Sequence, residues 1–174
     1  AEANMAGLGL IVEGPMIKNR ASYMGSYKKS FLKYVIKSTG LTAIPEYWNS
    51  QAKIVYYVKP KDKLTFNFIT GDDIVRVDDE SRPDLPTADR VDHHSNQLTY
   101  GLTYKSLFSS KGYYQLTLAK SSSEWNNDIY KTANGNKNIY MSRKNIEEDR
   151  YLKGQTVYKL TDKVTISAGF NIKE

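Results

Sequence analysis

Residues 45–70, PEYWNSQAKIVYYVKPKDKLTFNFIT, alternate apolar and polar side chains over two long runs. Ala52, Ile54, Tyr56 and Val58 fall on one face, and Gln51, Lys53, Val55 and Tyr57 on the other. Beyond Lys59-Pro60-Lys61-Asp62-Lys63 the alternation resumes, with Leu64, Phe66 and Phe68 set against Thr65, Asn67 and Ile69. A strand repeats every two residues, so the pattern predicts two long strands, a tight charged turn and one consistently apolar face. That face must meet either a protein core or lipid.

Composition narrows the choice. At 174 residues the chain is long enough for one domain with a sizeable core. Tyr, at 14, far outnumbers Phe at 5 and Trp at 2. No stretch approaches the roughly 18–20 apolar residues of a membrane helix. A soluble β protein and a membrane β-barrel remain, and barrel strands score as only weakly hydrophobic because they alternate. With no cysteine, a disulfide scaffold and a Cys-based zinc site are excluded. The net charge of +6 comes from dispersed Lys rather than a basic block, which argues against nucleic acid as a partner. AEANMAGLGLIVEGP carries no secretion signal, so an exported form would be a mature chain or an internal piece.

Taken in order, residues 4–12 read as the end of a strand and residues 13–20 as a turn region. Residues 21–36 begin as a strand. Their second half also fits a short helix, because Phe31, Leu32, Val35 and Ile36 have i, i+3, i+4 spacing. Residues 37–45 read as a loop, and the hairpin follows. Residues 71–94 have two Pro, seven Asp and one Glu, and read as a long polar loop. Residues 97–108 and 113–120 are strands about a turn at 109–112. Residues 121–150 read as a second long polar segment, with a turn signal at Asn134-Gly135. Residues 151–160 and 164–172 are the last strands, about a turn at 161–163. The expectation is an all-β antiparallel meander of about eight long strands, short turns alternating with long polar connections. That rhythm suits an outer-membrane barrel, with tight periplasmic turns and long outside loops. Tyr56, Tyr100, Tyr104, Tyr114 and Tyr158 sit on apolar faces, several near strand ends, as at a bilayer interface; ordinary aromatic packing on a sheet also accounts for them.

GPMIKNRASYMGSYKKSFL resembles the hairpin near the start of the barrel in TonB-dependent outer-membrane receptors. TAIPEYWNSQAKIVYYVKPKDKLTFNFITGDD resembles barrel strands of the Bacteroidetes branch, where an IP-x-Y-x-D-x-Q-A-K strand is followed by a turn and a strand ending in Gly-Asp. The resemblance covers residues 13–73; beyond them it is only architectural. It implies a transmembrane barrel of about 22 strands filled by a plug. It further implies import of a scarce nutrient (siderophore, haem, cobalamin, glycan or peptide) into the periplasm, driven through TonB. Residues 1–174 would then be a partial barrel domain without the plug, and Phe170 followed by NIKE is not the family's closing aromatic strand. The implied partners are outer-membrane lipid, the TonB system and plug of the parent protein, and a small-molecule or glycan cargo. No cofactor and no enzymatic activity are expected: GxSxG is missing, and Asp, His and Ser adjacent at 89–95 do not make a triad.

Tyr47, Trp48 and Trp125 could stack on a sugar or aromatic ligand at the outer mouth, and could equally be girdle residues. His93 and His94 beside Asp92 could ligate a metal or haem, but adjacent residues on a strand point to opposite faces. Asp72, Asp73, Asp78 and Asp79 offer carboxylates to calcium without an EF-hand pattern, and equally suit a solvated loop. Two other classes compete. A complete small eight-stranded barrel, acting as an adhesin or structural protein, fits the strand count. A soluble β-sandwich or lipocalin-like module needs a second set of strands that the sequence does not offer.

Overall fold

The computed structural model describes residues 2–4, 7–32, 43–77, 89–133 and 136–174. They form one antiparallel sheet in sequence order. Its strands are β1 (Glu2–Asn4), β2 (Gly7–Ile17), β3 (Ala21–Ser30), β4 (Ala43–Lys59), β5 (Asp62–Val77), β6 (Arg90–Leu107), β7 (Gly112–Ala133), β8 (Asn136–Lys159) and β9 (Thr165–Lys173). The expected all-β meander is present, with eight long strands and the three-residue β1. Among the described residues β1 and β9 do not pair with each other, so the sheet is open.

Strand alternation and register make the hairpin the template for the whole sheet. Ala52 faces Phe68, Ile54 faces Phe66 and Tyr56 faces Leu64 across β4 and β5. The same rows run on. Tyr23, Ile54, Phe66, Leu102, Leu118, Leu152 and Ile172 lie side by side across seven strands. The opposite face carries Lys53, Thr65, Asn67, Thr103, Gln115, Thr117, Gln155 and Ser167, and on it Thr103 and Thr117 hydroxyls bond at 3.0 Å.

This sheet has no core. Glycine aside, only Ala21, Ser106 and Tyr130 are buried among the described residues. Leu118 is 54% exposed and Ile172 57%, both in the middle of the apolar rows. Burial at that face is the main stabilising term for a sheet, and no part of the described chain supplies it.

Two long loops expected from the sequence are corrected. Residues 71–94 are strand at both ends: β5 continues to Val77 and β6 begins at Arg90. Residues 121–150 are almost all strand, since β7 runs to Ala133 and β8 starts at Asn136. Apolar residues such as Ile74, Val75, Ile129 and Ile146 are scattered over both faces there, so no alternation marks a strand, yet the neighbouring strand supplies the ladder. The Asn134-Gly135 signal itself lies outside the described residues, and Ala133 pairs with Asn136 across it. The turn region expected at 13–20 shrinks to 18–20, because β2 persists through a register shift between Pro15 and Ile17. Asn19 takes the positive φ of 58° that this turn requires. The strand-or-helix segment resolves as strand up to Ser30, and residues 33–42 lie outside the described residues; the loop expected at 37–45 is corrected at its end, because β4 begins at Ala43. Pro45 is tolerated in β4 because, among the described residues, the pairing with β3 ends at Lys29 opposite Trp48.

Candidate functional site

The sheet divides into two zones along its strands. Near the short turns one face is apolar. Near the opposite end both faces are mostly polar, with apolar residues such as Ile74, Val75, Ile129 and Ile146 scattered over the two. The border on the apolar face runs through Lys29, Asp72, Asn96, Lys120, Arg150 and Glu174, each one step beyond or close to the last apolar residue of its strand.

That border follows one hydrogen-bonded row from Lys29 through Asp72 to Asn96 and steps by four residues to a second row, Lys120, Arg150 and Glu174. On β6 the apolar run reaches Leu98, which pairs with Ser122. On β7 it stops at Leu118, four residues nearer the short turn, and on β8 and β9 it stops at the partners Leu152 and Ile172. The lower edge moves the same way. On β3 the run starts at Ala21, whose row continues through Tyr56, Leu64, Tyr104, Leu116 and Gly154 to Phe170. On β9 it extends four residues further, to Ile166, which pairs with Tyr158. A level apolar slab crossed by strands tilted about 40° and spaced about 4.8 Å apart would shift by roughly one residue per strand. From β3 to β9 the stripe shifts by four residues at both edges, in one direction, against roughly six for a level slab crossed at that tilt.

Aromatic rings mark the lower edge. Phe108 stacks between Tyr114 and Tyr158, at centroid distances of 6.5 and 6.0 Å, and Tyr104 lies 6.0 Å from Tyr114. Phe170 covers Gly154 so closely that a Cβ there would sit 2.3 Å from its ring. Near the upper edge Tyr27 stacks on Trp48 at 6.0 Å.

Above the border the sheet is held by polar cross-strand pairs. Lys120 bonds Glu148 at 3.0 Å, Lys144 pairs with Glu124, and Lys137 with Asp92. Tyr140, near the tip of β8, is shifted to a higher pKa mainly by its hydrogen bond with Asp89, so its phenol stays neutral.

The ligand candidates are split between the faces. Tyr47, Asp73, Ser95, Trp125 and Asn145 form one row on the polar face, with His93 in the adjacent row. Tyr47 and Trp125 are three strands apart, about 14 Å at ~4.8 Å per strand. Trp48, Asp72 and His94 belong to the other face. His93 Nδ1 lies 2.6 Å from Asn127 Oδ1, and His94 Nε2 lies 2.7 Å from Asp72 Oδ2. The two histidines therefore turn to opposite sides and bind different partners. Asp72 and Asp73 are separated in the same way, while Asp78 and Asp79 lie outside the described residues. No group of three metal-ligating side chains occurs among the described residues. Ser95 and Asn145, which complete the polar row, were not singled out from the sequence. Only the register reveals them, because five strands separate in sequence what one row brings together.

No protein-family model and no curated protein matches this chain. No helix among the described residues is long and apolar enough to cross a membrane, which says nothing of strands.

Proposed function

We propose that this chain is part of the wall of an outer-membrane β-barrel, a TonB-dependent receptor that imports a scarce nutrient into the periplasm. The observation that carries the barrel is the continuous exposed apolar stripe on one face of a single-layer sheet. Its apolar face meets lipid and the opposite face, with its Thr, Gln and Asn, lines the lumen. The receptor class rests on the resemblance of residues 13–73. In this reading the Tyr47–Asp73–Ser95–Trp125–Asn145 row lies on the lumen side above the membrane, where cargo enters. Aromatic faces and amide or carboxylate edges there suit a polar ligand with flat apolar patches.

A sandwich fits less well, because the described residues form one layer and leave the apolar face bare. A complete small barrel would need the first and last strands to pair, and among the described residues β1 and β9 do not. The test is fractionation of cells expressing the full-length gene product, followed by uptake assays in a deletion strain. The account expects recovery in the outer membrane and a growth defect on one scarce nutrient. Recovery in the soluble periplasm overturns it.

A further inference from the structure

The polar face of the lower half carries an excess of positive charge. Lys63 and Lys105 stand directly opposite each other on β5 and β6, flanked in the same row by Tyr57 and Gln115. Lys153 lies in the next row on that face, with Thr65, Thr103 and Thr117. Lys53 lies one row further, with Asn67 and Gly101. Among the described residues none of these four lysines makes an ion pair with an acid. The acids on this part of the face are Glu13, two strands from Lys53, and Asp149, which is held by Lys173 at 3.0 Å. Asp62 belongs to the other face, where it accepts the Ser106 hydroxyl.

Like charges directly opposite each other on one face destabilise a strand pair. Lys63 and Lys105 are half-buried, so water and salt screen their repulsion less than at an exposed site. Lys105 gains some relief from the Tyr113 ring, 3.6 Å from its Nζ. Between the two lysines and the β4–β5 turn opens a cleft of about 230 Å³, lined by Tyr57, Pro60, Lys61, Lys63, Lys105 and Leu107. Its charged groups are all cations, and Tyr57 and Leu107 give it an apolar wall. A carboxylate on a short apolar stem matches both features.

We infer that this face seats an acidic protein segment, with one Asp or Glu side chain held between Lys63 and Lys105 and further carboxylates reaching Lys153 and Lys53. The occupant is a polypeptide rather than a small anion because the lysines run from β4 to β8, about 19 Å at ~4.8 Å per strand. The hydroxyls and amides of Thr65, Thr103, Thr117 and Asn67 lie between them and suit peptide groups. A nucleic acid would call for a continuous track of cations along its phosphates. The inference rests on the reading of this face as the lumen wall, where a seated segment is shielded from bulk salt.

The test separates the two. The full-length protein in isolated outer membranes is treated with a water-soluble carbodiimide, which joins an amine to a carboxylate in contact with it. Crosslinks are mapped by peptide mass spectrometry. Lys63 and Lys105 are expected to couple to Asp or Glu of a protein segment outside the nine strands. Lys120, 3.0 Å from Glu148, is expected to couple within the sheet and is the control. Thermal unfolding of the full-length protein in detergent adds a sign. With a carboxylate seated, K63Q and K105Q each lower the midpoint by at least about 2 °C. With none seated, either substitution relieves the repulsion and raises it. Uncoupled Lys63 and Lys105 beside a coupled Lys120, coupling to added glutarate in place of a protein acid, or a raised midpoint in both variants overturns the inference and leaves the barrel in place. A protein absent from the outer-membrane fraction overturns the barrel reading and the inference with it.

Discussion

The lower and upper halves of β6, β7 and β8 are built from the same strands by different rules. Below the border, Leu102, Leu118 and Leu152 stand in a row on one face and Thr103, Thr117 and Lys153 on the other. Above it, Asn96, Glu124, Asn126 and Lys144 occupy what was the apolar face. β7 has 22 residues and β8 has 24, about twice the 9–11 that a tilted strand needs to cross a bilayer. The difference teaches what surrounds each half. In the proposed barrel the lower half meets lipid on one side, and the upper half meets water on both.

Charge substitutions should expose that difference most strongly. Leu102→Arg places a cation at mid-stripe and is expected to destabilise the refolded protein by about 2–4 kcal/mol. Asn126→Arg, on the same face in the upper half, should change stability by no more than about 0.5 kcal/mol. Urea titration of both variants in detergent micelles or liposomes makes the comparison, and equal costs would erase the border.

Packing should give the next largest effect. Gly154→Val forces Phe170 off the backbone it covers and is expected to cost about 1–3 kcal/mol in the same titration. Gly14→Ala, whose Cβ meets the Tyr23 ring only at 3.5 Å, should be close to neutral. A smaller loss is expected from His93→Ala, about 1 kcal/mol, because it leaves the half-buried Asn127 amide without its partner. Smallest is Glu148→Gln in the upper half. Its pair with Lys120 is exposed, so the loss should stay under about 1 kcal/mol and vanish in high salt.

The lower half was legible in the sequence because burial on one face imposes a period of two. From Ala52 to Phe68 the alternation alone places the strands, the turn and the apolar face correctly. The upper half was not. SSSEWNND and the acid-rich residues 71–77 look like loop when each is read alone, since nothing in their own pattern requires a strand. They are strand because a neighbour provides hydrogen bonds at every step, which is a property of pairing between segments. The candidate site was half legible for the same reason. Trp125, Tyr47 and His93 stood out by residue type, but their union with Asp73, Ser95 and Asn145 depends on register. Trp48 and His94 stood out equally and belong to the other side.

The natural absence of cysteine gives the most direct test of the central claim, that the stripe on the lower half faces lipid. Single cysteines at Phe66, Leu102, Leu118 and Leu152, and at Ser122, Asn126 and Ser142, can be probed with a membrane-impermeant maleimide in intact cells. The account predicts that the first four stay unlabelled until the membrane is dissolved and denatured, while the last three label at once. Equal labelling of Leu102→Cys and Asn126→Cys in intact cells would contradict it.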